Sequence, residues 1–593
     1  MIGVVDGVMG TVPNLPRGSE RNRRRGERNY NGAMASKDFS ADLAAVEANL
    51  DRVFQRELGL SKIPKPAARE ALLDVMESLL TGQGKEIDAS SGAMVFYFNN
   101  LTKGASSALR AIERFASERK RAFSRGWDVS IRKSLSTCLF FSVVEDAFFT
   151  CWKGYSVPQI EGQNVSFEPL GSDLDARLRF FRSPADFSEG GTAPFDFSLL
   201  TSKEVMEGVA RSLMATEFKP VGGFEYQIEQ PVVEVLSREY QKVFEPMLQG
   251  ALNINLGGIT SRDLFRAWCI LLALARLHWL VRLLTAKDPS SPNTSFVLPA
   301  LYRKTAFWLD AFGGLPNPQT LLGILTFDPV EKAGDICVTP IVRIQDGYFG
   351  LIPSSTLRSN IPRNLLVLIA SRFSAAYSMF SLSRESLAVA EYRRQHPSTL
   401  IDAQINLPKW NGSQLPDIDL LFGNADHTHL VVAELKWQLS ASTTREVVSR
   451  NDYLKKGSAQ LVKIRDFLLA NPDYLRARGL TKVSTTDAKI TLLLLCRGHL
   501  GSETVMTSPD ILLCDDATFF NELDKGLEAA LRAAETFSYL PLEGKDFMLR
   551  DVRVKFGDGI VGWKAMVPPS LTEDTETALV EAFYMDGARF AVL

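Results

Sequence analysis

Charged residues stand inside apolar runs in the segment Leu415 to Gln438, LPDIDLLFGNADHTHLVVAELKWQ, and this constrains the fold more than any other feature. Asp417 and Asp419 enter one strand-like run two residues apart, so alternation places both carboxylates on the same face. Beyond a Gly423 to Asp426 turn region, Leu430, Val432, Glu434 and Lys436 share one face of the returning strand, with Val431, Ala433, Leu435 and Trp437 on the other. If the two strands pair, the acids and the lysine converge. Burying Glu434 without a partner is costly, and Lys436 alone cannot satisfy two or three carboxylates. A divalent cation would. Magnesium takes oxygen ligands and usually only one or two protein carboxylates, which leaves places for water and a substrate phosphate. Such a centre suits phosphodiester hydrolysis, because it acidifies a bound water while cationic groups stabilise charge growing on the phosphoryl oxygens. A lysine beside the metal is expected to have a depressed pKa and to orient or deprotonate the attacking water.

The rest of the chain is large enough to surround such a site. Its 593 residues imply about three or four folding units. A 45% hydrophobic and 23% charged composition is that of packed globular domains rather than of a disordered chain. The 67 basic and 69 acidic residues nearly cancel, so affinity for a polyanion has to come from a local groove. Six cysteines without repeated spacing exclude a disulfide scaffold and the usual zinc patterns. The most apolar run, Ala267 to Ala275, is followed by Arg276, His278 and Arg282, short of the roughly 20 apolar residues a bilayer requires. With no signal-like apolar region at the start either, the expected setting is the cytoplasm, with no membrane.

Along the chain, residues 1–36 read as a disordered basic leader, with six arginines between Arg17 and Arg28, and Met34 offers an alternative start. Residues 41–330 read as mainly helical: apolar residues recur at three and four positions in Leu43–Leu58, Ala67–Leu80, Ala105–Phe123 and Leu264–Leu284. Ile336–Ile344, the turn Asp346-Gly347 and Tyr348–Ile352 predict a β-hairpin connector over 331–361, with Pro340 marking an edge strand. An α/β order follows over 362–540. It comprises helices at Asn364–Phe380 and Ser383–Arg394, strands at Leu400–Leu407, Asp417–Phe422 and Leu430–Trp437, a helix at Ser458–Leu469, and strands at Ile490–Cys496 and Ile511–Cys514. Residues 541–593 read as β-rich.

These motifs resemble the PD-(D/E)XK nuclease superfamily, the restriction-endonuclease-like fold. Its pattern is an acid near the start of one strand, E-x-K or D-x-K on the next, and often a glutamate on the preceding helix. Pro416-Asp417-Ile418-Asp419 and Glu434-Leu435-Lys436 supply the strand motifs. The resemblance implies Asp419 and Glu434 as metal ligands, with Asp417 as a further candidate, and Lys436 as the catalytic lysine. It also implies Glu385, ahead of Glu391, as the helix glutamate, and Gln460 as the glutamine that many members present to the site. The tyrosine found four residues later in some members is Ile464 here. Glu118-Arg119-Lys120, Glu543-Gly544-Lys545 and Asp487-Ala488-Lys489 match the short motif without its strand context.

Other candidates read as ordinary structure: His427 and His429 as a polar turn, Cys496 and His499 as half a zinc pattern without its second pair, and Gly82-Gln83-Gly84-Lys85 as an incomplete phosphate loop. Lys455, Lys456, Lys463 and Arg465 form a basic helical edge that either contacts phosphate or faces solvent. The expectation is a Mg2+- or Mn2+-dependent DNA endonuclease of a restriction or anti-phage defence type. Its helical half would select the substrate or a partner protein, and a homodimer is compatible with this reading. The alternative is a non-catalytic nucleic-acid-binding or assembly subunit that retains the fold.

Overall fold

The computed structural model describes residues 40–82, 92–118, 128–169, 197–214, 217–219, 223–225, 228–248, 250–285, 300–331, 334–439, 441, 443–497, 508–537, 544, 548–556 and 559–567. The expected leader, His499 and most of the Gly82–Lys85 motif lie outside them. The architecture is mixed, with a mainly helical N-terminal half and several small sheets.

That half begins with α1 (Ser40–Glu57), α2 (Lys65–Gly82), α3 (Gly92–Phe115) and α4 (Asp128–Trp152). Helix α1 forms because Leu43, Val46, Leu50 and Val53 make one buried stripe at helical spacing. Helix α4 shows no such stripe in its sequence. Its first half (Ile131, Leu135, Cys138) enters a core with α2 and α3, while its second half (Val144, Ala147, Phe148) enters another with α1. Strands β1 (Ser156–Glu161) and β2 (Asn164–Pro169) form an antiparallel hairpin against this second core.

Helices α5 (Lys203–Met214) and α6 (Gln230–Phe244) pack with α7 (Ser261–Thr285), which is buried around most of its circumference because it runs through the largest core. Segments of α4 and α7, Val129–Trp152 and Ser261–Arg282, are long and apolar enough to cross a bilayer, although no uninterrupted apolar run is. Their apolar windows are 67% and 78% buried inside the protein.

The predicted hairpin is present as β4 (Ile341–Gln345) and β5 (Tyr348–Leu351), but it is not a free connector. It pairs with β3 (Leu301–Lys304) in the order β3-β5-β4, and its side chains belong to the two large helical cores. Residues 336–339 form a turn rather than strand, held by Val338 and Thr339 N–H donating to the Asp335 carbonyl at 2.9 Å. Pro340 immediately precedes the edge strand, where its missing donor costs nothing.

Helices α8 (Ile361–Arg372) and α9 (Ser374–Gln395) meet at Phe373 rather than near residue 381, so α9 is one continuous rod. Its start packs on the α7 core through Tyr377 and Phe380, and its end packs through Val389 and Tyr392 on a separate sheet. That sheet contains β6 (Leu400–Ile405), β7 (Ile418–Gly423), β8 (His429–Trp437), β9 (Lys489–Arg497) and β10 (Ile511–Asp515), in the order β10-β9-β8-β7-β6. β6, β7 and β8 run antiparallel to one another, whereas β8, β9 and β10 are parallel. The parallel β8–β9 step needs a long crossover, supplied by α10 (Thr444–Ala470). Thr443 caps α10 by accepting from Glu446 N at 3.2 Å. Helix α10 covers one face of the sheet, and α9, α11 (Asp516–Leu523) and α12 (Leu527–Thr536) cover the other.

The C-terminal strands β11 (Met548–Phe556) and β12 (Gly559–Val567) do not stand alone. β12 pairs parallel to β2, matching Val561 with Val165 and Trp563 with Phe167, so the segment completes a four-stranded sheet on the N-terminal half.

Within that half, Glu77 of α2 is 1% exposed and accepts from Arg282 of α7 at 3.0 Å and from Ser354 N and Oγ at 2.9 and 2.7 Å. Removing one member of a buried pair strands the other charge. Arg282→Ala is therefore expected to cost about 3–5 kcal/mol, read as a lower urea midpoint at unchanged slope. A change under about 1 kcal/mol, the range of an exposed pair, would contradict this role.

Candidate active site

The antiparallel register of β7 and β8 pairs Leu420 with Ala433 and Leu421 with Val432, and one step further Asp419 falls opposite Glu434. Cross-strand neighbours on one face have Cβ atoms about 4.5–5.5 Å apart. The ladder ends there, because the Leu435 N–H donates to Asp419 Oδ2 at 2.8 Å instead of to a backbone carbonyl. The carboxylate thus closes off the free edge of β8 at the point where the two strands part.

Glu434 and Lys436 point from β8 toward α10 and are 3% and 7% exposed. The Lys436 ammonium donates to Glu434 Oε1 and lies 5.1 Å from the centre of the Tyr453 ring on α10. One turn along α10, Gly457 lets helix and strand approach closely: a Cβ there would stand 2.8 Å from Lys436 Cε and 3.2 Å from Leu494 Cδ1. Gln460, half-buried, lies a further turn along the helix.

From the other direction α9 brings Glu385, half-buried, within electrostatic range of Asp419 and Lys436. Glu391, six residues on, is exposed and bonded to Arg394 and Gln395. Asp417 is exposed and precedes the first residue of β7, and its charge acts on Asp419 from outside. Asp419, Glu434, Lys436 and Glu385 are therefore gathered, Gln460 borders them, and Asp417 stands at the rim.

The electrostatics follow from three acids facing one lysine. Burial pushes the Glu434 carboxyl up, as does repulsion from Asp419, against the pull of Lys436. Asp419 is raised chiefly by burial, which outweighs the Leu435 N–H and Lys436. Glu385 is raised by burial and by Asp419. Burial alone would lower Lys436, but Glu434, Tyr453 and Asp419 outweigh it, so its pKa is raised and the expected depressed lysine is not found. Without a cation, the cluster retains protons.

Among the described residues, no group of three or more His, Cys, Asp or Glu side chains stands close enough together to hold a metal ion. The donor set nonetheless suits magnesium, which needs only one or two protein carboxylates. Asp419 and Glu434 provide that pair, and a bound cation would offset the burial that raises both and the Asp419 repulsion that further raises Glu434.

The remaining candidates lie elsewhere. His429 begins β8, with its ring 2.9 Å from Thr491 and 3.2 Å from Glu528, seven residues and about 23 Å from Lys436 along the strand. His427 accepts from Lys482 N at 3.1 Å. Cys496 is buried on β9. In the basic edge, Arg465 is tied to Asp466 and Asp510 and Lys455 lies 5.6 Å from the Tyr155 ring, while Lys456 and Lys463 are exposed. Sequence reasoning missed Tyr453 and Gly457. The one available signal was a glycine inside the α10 helical pattern, which marks a close approach. No protein-family model, curated protein or solved structure matches the chain.

Gly457→Ala is expected to cost about 1–3 kcal/mol through overpacking, offset in part by up to about 1 kcal/mol of helix propensity. Denaturant titration gives the net value, and a gain in stability would mean that Lys436 moves aside freely.

The raised carboxylates also set a sign for pH dependence. In the folded state they hold protons above the ordinary carboxylate range, so stability is greatest at low pH and is lost as pH rises through the folded values. In chelator, Glu434→Gln should gain in melting temperature relative to wild type as pH rises between about pH 5 and about pH 8. A pH-independent difference would show that Glu434 does not titrate in this range.

Proposed function

We propose that this chain is a metal-dependent nuclease of the PD-(D/E)XK, restriction-endonuclease-like type, hydrolysing phosphodiester bonds. The observation that carries the reading is the convergence of Asp419, Glu434 and Lys436 on one face of adjacent strands, with Glu385 approaching from the preceding helix. The order helix α9, strands β6 to β8, helix α10, strand β9 supports it, because each motif falls on the element that the resemblance implies.

In this mechanism Asp419 and Glu434 would hold Mg2+ or Mn2+, which supplies an acidified water and a positive charge beside the phosphate. With the cation held by Glu434, the Lys436 ammonium would be released from its bond to that carboxylate. Lys436, charged and fixed by Tyr453 and Gly457, then orients the attacking water and stabilises charge growing on a phosphoryl oxygen. Its raised pKa assigns it an electrostatic role before that of a base. Glu385, within electrostatic range of Asp419 and Lys436, would hold a water of the site by hydrogen bonding. The favoured substrate is DNA, and a defence setting rests on the analogy of a large accessory half fused to such a core.

Near-isosteric variants test this best, because an alanine at either position would add a cavity to the loss of the buried charge partner. Glu434→Gln and Lys436→Met are each expected to lower cleavage by at least about 100-fold while the far-ultraviolet spectrum is unchanged. Linear, circular and single-stranded DNA and RNA would be incubated with magnesium, manganese or chelator, alone and with candidate partner proteins. Cleavage of none of them by wild type, or equal cleavage by Lys436→Met, would leave the non-catalytic binding or assembly reading.

A further inference from the structure

The carboxyl ends of the parallel strands β8 and β9 carry a second cluster that the chemistry above does not use. Trp437 follows Lys436 and by alternation turns to the α9 side of the sheet, where it packs on that core. Two guanidiniums lie over its ring, Arg497 at 4.8 Å and Arg384 at 5.8 Å. Arg497 is its register partner on β9 and is held at 2.9 Å by Asp516. Arg384 comes from α9, one residue before Glu385, and among the described residues it has no hydrogen bond or ion pair, only the Trp437 and Phe380 rings.

A second pair of arginines lies on helices α8 and α10. Arg363 and Arg450 both reach the Glu446 carboxylate, at 2.7 and 3.8 Å, Asp335 also acts on Arg363, and Arg450 Nη1 is a buried donor with no acceptor among the described residues. Burial, and after it the Arg497 charge, depress the Arg384 pKa against the pull of Tyr377 and Asp516, so the Asp516 carboxylate that holds Arg497 only partly offsets the repulsion within the pair. Guanidinium forks stacked on an aromatic ring are matched in shape and charge to a phosphate. The cluster adjoins the acidic site through α9: Glu385 faces Asp419 and Lys436, while Arg384 faces Trp437 and Arg497.

We propose that Arg384 and Arg497, stacked over Trp437, bind a backbone phosphate of the nucleic acid that flanks the one being cut. This rests on the nuclease reading for its substrate, but it concerns binding rather than cleavage. The strand crosses the carboxyl ends of β8 and β9, one phosphate at the Asp419–Glu434–Lys436 side and its neighbour against the two arginines. Ligands favour that edge of parallel sheets in general. Phosphate recognition by this pair is common to DNA and RNA.

The test is fluorescence anisotropy with labelled duplex DNA and with labelled RNA, titrated over a range of salt in chelator so that no strand is cut. Arg384→Gln should weaken binding roughly tenfold or more and reduce the slope of log affinity against log salt by about 0.9 for duplex DNA. Arg384→Lys should retain the slope, and Arg465→Gln, whose charge is already paired, should match wild type. A loss confined to DNA or to RNA supports the subsite and identifies the source of the phosphate. No binding by wild type to either, or an unchanged slope in Arg384→Gln, overturns it. If wild type cuts nothing with magnesium or manganese and Arg384→Gln still lowers affinity and slope, the nuclease reading fails and the phosphate subsite stands.

Discussion

The buried bond between Lys436 and Glu434 is the constraint from which the site's geometry follows. Neither charge can be left alone under α10, so the two are held together and the helix above them must leave room for the lysine stem. Gly457 supplies that room, and Tyr453 offers the ammonium an aromatic face. One lysine cannot satisfy the other acids. Asp419 therefore turns to the Leu435 N–H, and in doing so stops the β7–β8 ladder and opens the end of the sheet. Three carboxylates pushed upward beside a lysine that is itself raised describe a pocket short of positive charge.

Helix α9 joins this pocket to the rest of the protein. Its first turns are anchored in the helical half by Tyr377 and Phe380 and its last turns on the sheet by Val389 and Tyr392. Glu385 and Arg384 occupy the middle, where neither core holds the rod. Helix α10 is tied to the same half by Arg363 to Glu446 at 2.7 Å and Asn451 to Tyr155 at 3.4 Å. Both helices that border the pocket are thus registered against the N-terminal half, and under the nuclease proposal that half positions catalytic and binding groups directly.

Much of the site was legible because alternation in a strand is strict: Asp419, Glu434 and Lys436 could be set on one face from spacing alone, and Glu385 separated from Glu391 by helical rotation. The sign of the lysine shift was not legible, since it depends on how many acids face it in the absence of a cation. Helix α4 escaped because a helix divided between two cores has no single apolar stripe. The first half of α10, with Tyr453, escaped because it buries few apolar residues, Val447, Val448 and Leu454, among polar ones such as Arg445, Asp452 and Tyr453 that remain exposed. The partner of the C-terminal strands could not be inferred locally, because no nearby sequence records a pairing made across most of the chain.

That pairing gives the molecule an unusual connectivity. Ile560 donates to Asn164 Oδ1 at 2.9 Å across 396 residues of sequence, and β12 lies beside β2. The sheet with the acidic pocket is therefore an excursion from a body that the chain leaves and later rejoins, anchored at both ends like a handle rather than appended like a tail. A break in the peptide chain anywhere within the handle would leave both pieces fastened to the same frame. The cost in chain entropy of drawing so long a loop shut rises only with the logarithm of its length. Evolution could thus lengthen or rebuild the excursion at little thermodynamic penalty, provided that the two strands which clasp its ends were left alone.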